Sequence, residues 1–346
     1  MKKTFKHLVT GSSGFVGSEI VKKLIDLGET VVAIDIIEDK DISKICEFHK
    51  IDISNPPDSF SSVFKDVKYV HHNAALVPLT KAGSDFFKAN VNGTTNVLLN
   101  SKKNNVSHFS HMSSSAIFGK PKNNKSNFDY KNYNPTGIYG ISKYKAELEV
   151  LKFKDKFQSY SIIRPRPIIG KGRLGIFEIL FDWVSENKKI PVIGSGLNTF
   201  QFAHISDLVD VSIETAMKNI SGTFNIGTDR FNTLKEDLNE SFKLIGSKSR
   251  IFPINRYLCI VPLFILDKIK LSPLSSWHYL SYDWNFHYDL EETFKKLEWR
   301  PKYSNQEMVI EAYKWYIENK ILIQNEHSIH RSKIKQKFLK VIKFFL

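Results

Sequence analysis

The stretch Phe5-Lys6-His7-Leu8-Val9-Thr10-Gly11-Ser12-Ser13-Gly14-Phe15-Val16-Gly17 decides the fold. Phe5–Thr10 reads as a buried strand, and Gly14–Leu27 as the helix that follows it. Between them stand three glycines at the spacing a dinucleotide-binding turn requires. Gly11 permits the tight turn, Gly14 lets the backbone approach a pyrophosphate, and Gly17 lets the helix pack closely on the strand. The N-terminus of such a helix offers free N–H groups and a positive dipole end to phosphates.

Outward from this turn, apolar runs alternate with amphipathic stretches. Strands are expected at Thr30–Ile36, Phe48–Ile53, Tyr69–Asn73, Val106–Met112 and Tyr160–Arg164, and helices at Ala89–Lys103 and Tyr139–Phe153. Strands separated by helices imply right-handed crossovers and a parallel sheet covered on both faces. The expected class is α/β: a Rossmann-type doubly wound parallel sheet with a smaller C-terminal substrate-binding lobe. After Pro165 glycine and proline become frequent. Helices are expected at Ile176–Glu186, Asp207–Lys218 and Gln306–Asn319, and one more strand at Gly222–Gly227. The organisation this implies is residues 1–165 as the NAD-binding unit, 166–325 as the substrate lobe with elements returning to the sheet, and 326–346 as a tail. Asn123–Asn134 lacks periodicity and reads as a loop, and Leu258–Leu266 reads as a buried helix.

Asp35 closes the second expected strand, 18 residues after Gly17. A carboxylate there accepts hydrogen bonds from the adenosine ribose hydroxyls and repels a 2′-phosphate. NAD is therefore expected as cofactor, with NADP the lesser alternative because Lys40 lies nearby.

Tyr139 and Lys143 are spaced i, i+4 and share a helix face. A nearby ammonium lowers a phenol's pKa and makes it a usable proton donor or acceptor near neutral pH. The strand ending at Met112 runs into Ser113-Ser114-Ser115, at the end of the sheet where doubly wound folds place ligands.

In this order the segments resemble the extended short-chain dehydrogenase/reductase family, which contains NAD-dependent sugar-nucleotide epimerases and dehydratases. The resemblance covers roughly residues 4–320. It rests on Thr10–Gly17, Asp52-Ile53, Asn73-Ala74-Ala75, Asn90-Val91-Asn92-Gly93-Thr94, Ser113–Gly119, Tyr139–Lys143, Arg164-Pro165 and His204–Asp207. It implies Ser114, Tyr139 and Lys143 as catalytic residues. It implies a cofactor site of Gly11, Ser13, Gly14, Phe15, Val16, Gly17, Asp35, Asp52, Ile53, Ala74, Asn90, Tyr139 and Lys143. The chemistry it implies is Tyr-assisted hydride transfer with NAD, Lys143 holding the nicotinamide ribose and Ser114 orienting the substrate oxygen.

The chain departs from the family at several places. Ser115 and Ala116 stand where 4,6-dehydratases carry Asp-Glu, which disfavours dehydration. Phe200 occupies the place of an arginine that grips the substrate diphosphate, Pro167 that of a substrate-contacting asparagine, and no arginine stands near Pro273. Arg166 and Arg173 are the candidate replacements, and Ser113, Ser115 and Phe200 are further candidate substrate contacts. The expected substrate is a nucleotide-linked or lipid-linked sugar. The alternative is a hydrophobic alcohol, because Gly194-Ser195-Gly196-Leu197-Asn198 followed by Phe200 also resembles the 3β-hydroxysteroid dehydrogenase branch. A third reading is a non-catalytic NAD-binding protein with an idle Ser114/Tyr139/Lys143 set.

The 346 residues are 42% hydrophobic and 25% charged, an ordinary globular balance with room for two lobes. Cys46 and Cys259 match no metal or redox spacing, and no metal site is expected. The apolar run before the first glycine is too short for a signal peptide's core, which points to a cytoplasmic protein. Of the net charge of +14, residues 327–346 carry six Lys/Arg and no acid. Ile334, Phe338, Val341, Ile342 and Phe345 fall on one helical face there. Such a tail suits peripheral contact with an anionic membrane at its inner face. No aromatic-plus-basic RNA motif or zinc-finger spacing is present, so nucleic acid is not an expected partner. The family this chain resembles often forms dimers through two long helices, so the resemblance makes a homodimer a candidate assembly, which the sequence itself does not fix.

Overall fold

The structure is a computed structural model that describes residues 4–80, 82–120, 133–268 and 276–325. Residues 326–346 and most of the expected loop Asn123–Asn134 lie outside the described residues, as does 269–275, where the missing arginine is expected.

The first half alternates as its periodicities dictate. Strand β1 (Lys6–Thr10) leads through the glycine turn into α1 (Phe15–Asp26) and β2 (Thr30–Asp35). A short α2 (Lys40–Ile45) precedes β3 (Glu47–Lys50). β3 lies earlier in the chain than expected: Ile51–Ile53 fall outside it, and Asp52 instead accepts hydrogen bonds from the Ser54 amide at 2.8 Å and hydroxyl at 2.7 Å. Strand β4 (Val67–His72) follows. Helix α3 (Asp85–Phe87) runs through a π-turn, Lys88–Asn92, into α4 (Gly93–Lys103). Strand β5 (His108–Met112), α5 (Gly137–Lys152) and β6 (Ser159–Pro165) complete this half.

The second half holds β7 (Ile168–Ile169), α6 (Ile176–Ser185), β8 (Lys189–Ile193), β9 (Ala203–His204), α7 (Ile205–Met217) and β10 (Gly222–Ile226). It continues with α8 (Leu234–Leu244), β11 (Arg250–Ile254), α9 (Arg256–Lys268), α10 (Ser276–Ser281), α11 (Glu291–Leu297) and α12 (Asn305–Asn325).

Seven strands form one parallel sheet in the order β10-β6-β5-β4-β1-β2-β3. The order reverses direction between β1 and β4, the switch point where such sheets bind ligands. One face packs Leu8, Val70, Phe109 and Ile162 against Val97, Leu98 and Val150 of α4 and α5. The other packs Val9, Val31 and Ala33 against Ile20 and Leu24 of α1 and Val209 and Ile213 of α7. β10 and α7 thus bring the second half of the chain back to the sheet. A separate core forms where α6, α8 and α12 meet the β8–β11 pair, around Phe177, Phe181, Trp183, Phe242, Met308 and Tyr316.

One expectation is reversed. Leu258–Leu266 is helical, as part of α9, but it is not a buried helix: Tyr257, Leu258, Val261, Phe264 and Ile265 are all more than half exposed. The apolar run promises burial, yet α9 packs chiefly against the six-residue α10, which is too short to cover it.

Candidate active site

The glycine turn has the close approaches its sequence implies. Gly11 has φ +67°, and a Cβ there would lie 2.6 Å from the Ala74 amide nitrogen. A Cβ on Gly17 would lie 2.0 Å from the Gly11 carbonyl oxygen, so α1 meets β1 where only glycine fits. Phe15 and Val16 begin α1, with Gly14 as its N-cap, leaving the first amides of the helix at the turn. The Asp35 carboxylate reaches back from the end of β2, accepting the Ser13 amide at 3.0 Å and the Ile37 amide at 3.2 Å. The Ser13 hydroxyl donates to the Ile37 carbonyl at 2.7 Å. The Ala74 amide, beside Gly11, donates to the Thr10 hydroxyl at 3.3 Å. Ile53 is buried and fills the space left by Gly93, where a Cβ would meet its side chain at 2.9 Å.

Asn90, expected at the cofactor, is buried and hydrogen-bonded within the protein. It lies in the π-turn, accepts the Leu76 amide at 2.8 Å, and donates to the Leu76 carbonyl at 3.2 Å and the Ser142 hydroxyl at 2.9 Å. Ser142 in turn donates to the Tyr139 carbonyl at 2.8 Å. Asn90 therefore ties the segment after β4 to the first turn of α5, which carries Tyr139 and Lys143.

The three expected catalytic residues converge. Ser114 stands close enough to Tyr139 to lower the phenol's pKa, and its hydroxyl accepts the Ala116 amide at 3.2 Å. Lys143 is buried one turn along α5 and donates to the Met112 carbonyl, at the end of β5, at 2.6 Å. Burial pulls the Lys143 ammonium down to about 8, with Glu147 opposing.

The electrostatics of Tyr139 differ from expectation. Its pKa is raised, because burial outweighs the Ser114 hydrogen bond and the nearby positive charge, both of which lower it. That positive charge is Arg173, whereas Lys143 points its ammonium at the Met112 carbonyl. Arg173 lies between the nucleotide turn and the phenol, 5.4 Å from the Phe15 ring, and interacts with both Tyr139 and Tyr282.

The remaining substrate candidates separate clearly. The Ser113 hydroxyl donates to Glu147 within a buried ion pair, in which Arg164 binds Glu147 at 2.6 and 3.0 Å and Tyr133 at 3.0 Å. The Ser113 hydroxyl is thus committed to Glu147 in this structure. Arg166 is 1% exposed, with its guanidinium 3.6 Å from the Phe286 ring centroid and 5.3 Å from that of Phe200. It donates to the Ser115 hydroxyl at 3.3 Å. Phe200 is buried and stacks on Tyr282 at 6.0 Å. Of the two candidate arginines, Arg173 acts electrostatically on Tyr139, and Arg166 is enclosed by rings. His204 and Asp207, from the later signature, also lie in the scaffold: His204 pairs with Glu311 at 2.7 Å, and Asp207 is buried at the start of α7.

Tyr282, Ser142 and Glu147 join the site without a signal in sequence spacing. Tyr282 reaches Arg173 across more than a hundred residues, and only the fold brings them together. Among the described residues no cluster of His, Cys, Asp and Glu is placed to hold a metal ion.

The donor set fits NAD: amides and a glycine cradle for the pyrophosphate, Asp35 for a ribose, and a buried lysine beside the catalytic hydroxyls. Comparison with known proteins agrees. The chain is 34% identical over 346 residues to the uncharacterised protein y4nG of Sinorhizobium fredii, covering 98% of this chain and 86% of that protein. It is 26% identical over 242 residues to the mouse sterol-4-alpha-carboxylate 3-dehydrogenase, decarboxylating, covering 68% and 66% of the two chains. Its fold matches that of UDP-glucuronic acid 4-epimerase from Bacillus cereus, solved with UDP-glucuronic acid and NAD. There the TM-score is 0.72 at 21% identity, over 91% of this chain and 99% of that one. The model of the NAD dependent epimerase/dehydratase family matches residues 7–227, and the chain belongs to that family.

Proposed function

We propose that this chain is an NAD-dependent epimerase of the extended short-chain dehydrogenase type acting on a nucleotide-linked or lipid-linked sugar. The observation that carries this reading is that Ser114 acts on the Tyr139 phenol while the buried Lys143, one turn along the same helix, holds its ammonium on the Met112 carbonyl at the end of β5. NAD, when bound, supplies the acceptance and return of hydride at the sugar carbon. Tyr139 takes the proton from the sugar hydroxyl and gives it back, and Ser114 holds the substrate oxygen beside the phenol. Lys143 holds the nicotinamide ribose. Arg173 offers a positive charge to an anionic group on the substrate and favours the phenolate. Asp35 favours NAD over NADP.

The sugar assignment is supported by family membership together with a polar, cationic reaction centre, which suits an anionic sugar derivative better than an uncharged sterol. A homodimer through α4 and α5 is part of the same proposal, since those contacting helices leave Leu99, Leu148 and Leu151 exposed. Peripheral membrane contact through residues 326–346 is a further part of it, resting on their basic sequence.

The purified chain is incubated with NAD and with UDP-sugars, GDP-sugars, sterols or long-chain alcohols in turn. The expected result is a new sugar epimer without accumulation of NADH. NADH accumulating with the alcohols alone would replace this reading by the hydrophobic-alcohol dehydrogenase.

A further inference from the structure

The two strands that flank the switch point end in polar side chains at places where aliphatic ones would pack. Thr10 closes β1, His72 closes β4, and the two are paired in register. Both are buried, and alternation along the strands puts them on the face of Leu8 and Val70, which α4 and α5 cover. Burying an imidazole is costly unless its nitrogens are hydrogen-bonded. Here both are: Nδ1 of His72 lies 2.7 Å from the Thr10 hydroxyl, and Nε2 lies 2.8 Å from the hydroxyl of Thr94 on α4.

The neighbouring bonds fix where each proton sits. Thr94 donates its one hydroxyl proton to the Asn90 carbonyl at 2.7 Å, so its oxygen accepts from Nε2 of His72. Burial, joined by the charge of Lys143, holds the ring neutral, down at about 3, and leaves Nδ1 without a proton. Nδ1 therefore accepts the Thr10 hydroxyl proton. The Thr10 oxygen in turn accepts the Ala74 amide at 3.3 Å, and that amide is the atom Gly11 approaches most closely. The line of donors thus runs one way, from the Ala74 amide through Thr10, His72 and Thr94 to the Asn90 carbonyl.

The side chain of Asn90 carries the connection onward. Its Oδ1 accepts the Leu76 amide, which fixes the orientation of the carboxamide, and Nδ2 donates to the Ser142 hydroxyl at 2.9 Å. Ser142 donates to the Tyr139 carbonyl at 2.8 Å, and Lys143 is the next residue of α5. One continuous set of buried bonds therefore joins the dinucleotide turn to the first turn of the helix that bears Tyr139 and Lys143.

We infer that His72 is a positioning residue: with Thr10 and Thr94 it sets α5, and so Tyr139 and Lys143, against the dinucleotide turn. A dinucleotide is gripped at both ends, its phosphates at the turn and its nicotinamide ribose at Lys143. The relative placement of the two elements then enters its affinity. This rests on the assignment of Lys143 to that ribose and holds for any substrate.

The test is isothermal titration of the full-length chain with NAD and with ADP, which lacks the nicotinamide riboside and engages the turn alone. Thr94 is 1% exposed and out of reach of either ligand. Thr94→Val keeps the branched shape and removes the hydroxyl. It is expected to weaken NAD about tenfold and to leave ADP unchanged. Thr94→Ser, which restores the hydroxyl, is expected to return NAD affinity to the wild-type value. Unchanged NAD affinity in Thr94→Val would overturn the inference, and so would an equal loss for both ligands, which marks a loosened fold. Lys143→Met, titrated alongside, separates the premise from the inference. Undiminished NAD binding there would remove the Lys143 assignment and the inference with it, whereas a loss there with none in Thr94→Val would overturn the inference alone. The wild-type protein supplies a second measurement, the 15N spectrum of its histidine rings. His72 is expected to carry its proton on Nε2. A proton on Nδ1 would turn the Thr94 hydroxyl from Asn90 to His72, break the line and overturn the inference.

Discussion

Arg173 is the cation that pulls the Tyr139 phenol down, from a loop outside the helix that carries the tyrosine. Burial raises the phenol, and Ser114 and Arg173 act against that rise. The Arg173→Met substitution removes the charge and keeps much of the bulk. The phenol pKa then climbs further, and a reaction needing the phenolate loses rate on the acidic side. The acidic limb of the kcat/KM profile is expected to move to higher pH, the direction set by loss of a positive charge near the phenol. A limb that stays in place would show that Arg173 does not act on Tyr139.

Tyr139→Phe removes the proton carrier and leaves the ring packed against Phe86, whose centroid lies 5.8 Å away. Turnover is expected to fall about 10²–10⁴-fold with NAD affinity nearly unchanged. Isothermal titration with NAD alongside an epimerisation assay separates the two effects. Undiminished turnover would leave the hydroxyl outside the reaction.

Gly17→Ala tests the cradle itself. The new methyl would sit 2.0 Å from the Gly11 carbonyl oxygen, and that oxygen belongs to the turn on which the pyrophosphate is expected. Either α1 moves off β1 or the turn reshapes, at a cost of about 1–3 kcal/mol. A lower urea midpoint together with loss of NAD binding is the expected outcome. Retention of both would mean that the turn tolerates a side chain.

The first half of the fold is legible because three local signals coincide: alternating strand and helix periods, a glycine turn between the first pair, and polar residues at strand ends. Ser114, Tyr139 and Lys143 are legible because each stands next to such a landmark. The second half hides for physical reasons. β8 and β11 contain Pro191 and Pro253 and, among the described residues, form a two-stranded sheet apart from the central one, so neither reads as a sheet strand. α8 announces itself by its cap, since Thr233 and Glu236 form a capping box, a stronger signal here than apolar periodicity. The exposure of α9 is invisible to composition, because an apolar run does not say whether anything covers it. The electrostatic interaction of Arg173 with Tyr282 depends on where the fold brings two loops, which no spacing along the chain encodes.

The central sheet holds five buried histidines, and they set its response to acid. His7 and His71 share a hydrogen bond at 3.0 Å, and His71 continues to Ser212 at 2.9 Å. His72 lies between Thr10 at 2.7 Å and Thr94 at 2.8 Å, and His108 between Ser159 at 2.7 Å and Ser161 at 3.1 Å. His111 is buried with neither ring nitrogen hydrogen-bonded among the described residues. Burial holds all five neutral, His7 down at about 4, His72 and His108 at about 3, and His71 and His111 well below the ordinary value. The sign follows from linkage. As pH falls below about 6.5 the unfolded chain takes up protons that the native sheet refuses, so stability drops by about 1.4 kcal/mol per pH unit for each proton. Asp207, raised to about 6, opposes this with one proton bound in the native state. Most carboxylates of the unfolded chain titrate near pH 4, so the interval from pH 6.5 to 5 isolates the histidines. Urea unfolding across that interval is expected to show a midpoint that falls steeply and tracks an uptake of several protons. The His71→Asn/His72→Asn variant should flatten the slope, whatever its stability at pH 8. A wild-type midpoint constant from pH 8 to pH 5 would mean that the imidazoles are protonated, or freely hydrated, within the folded sheet.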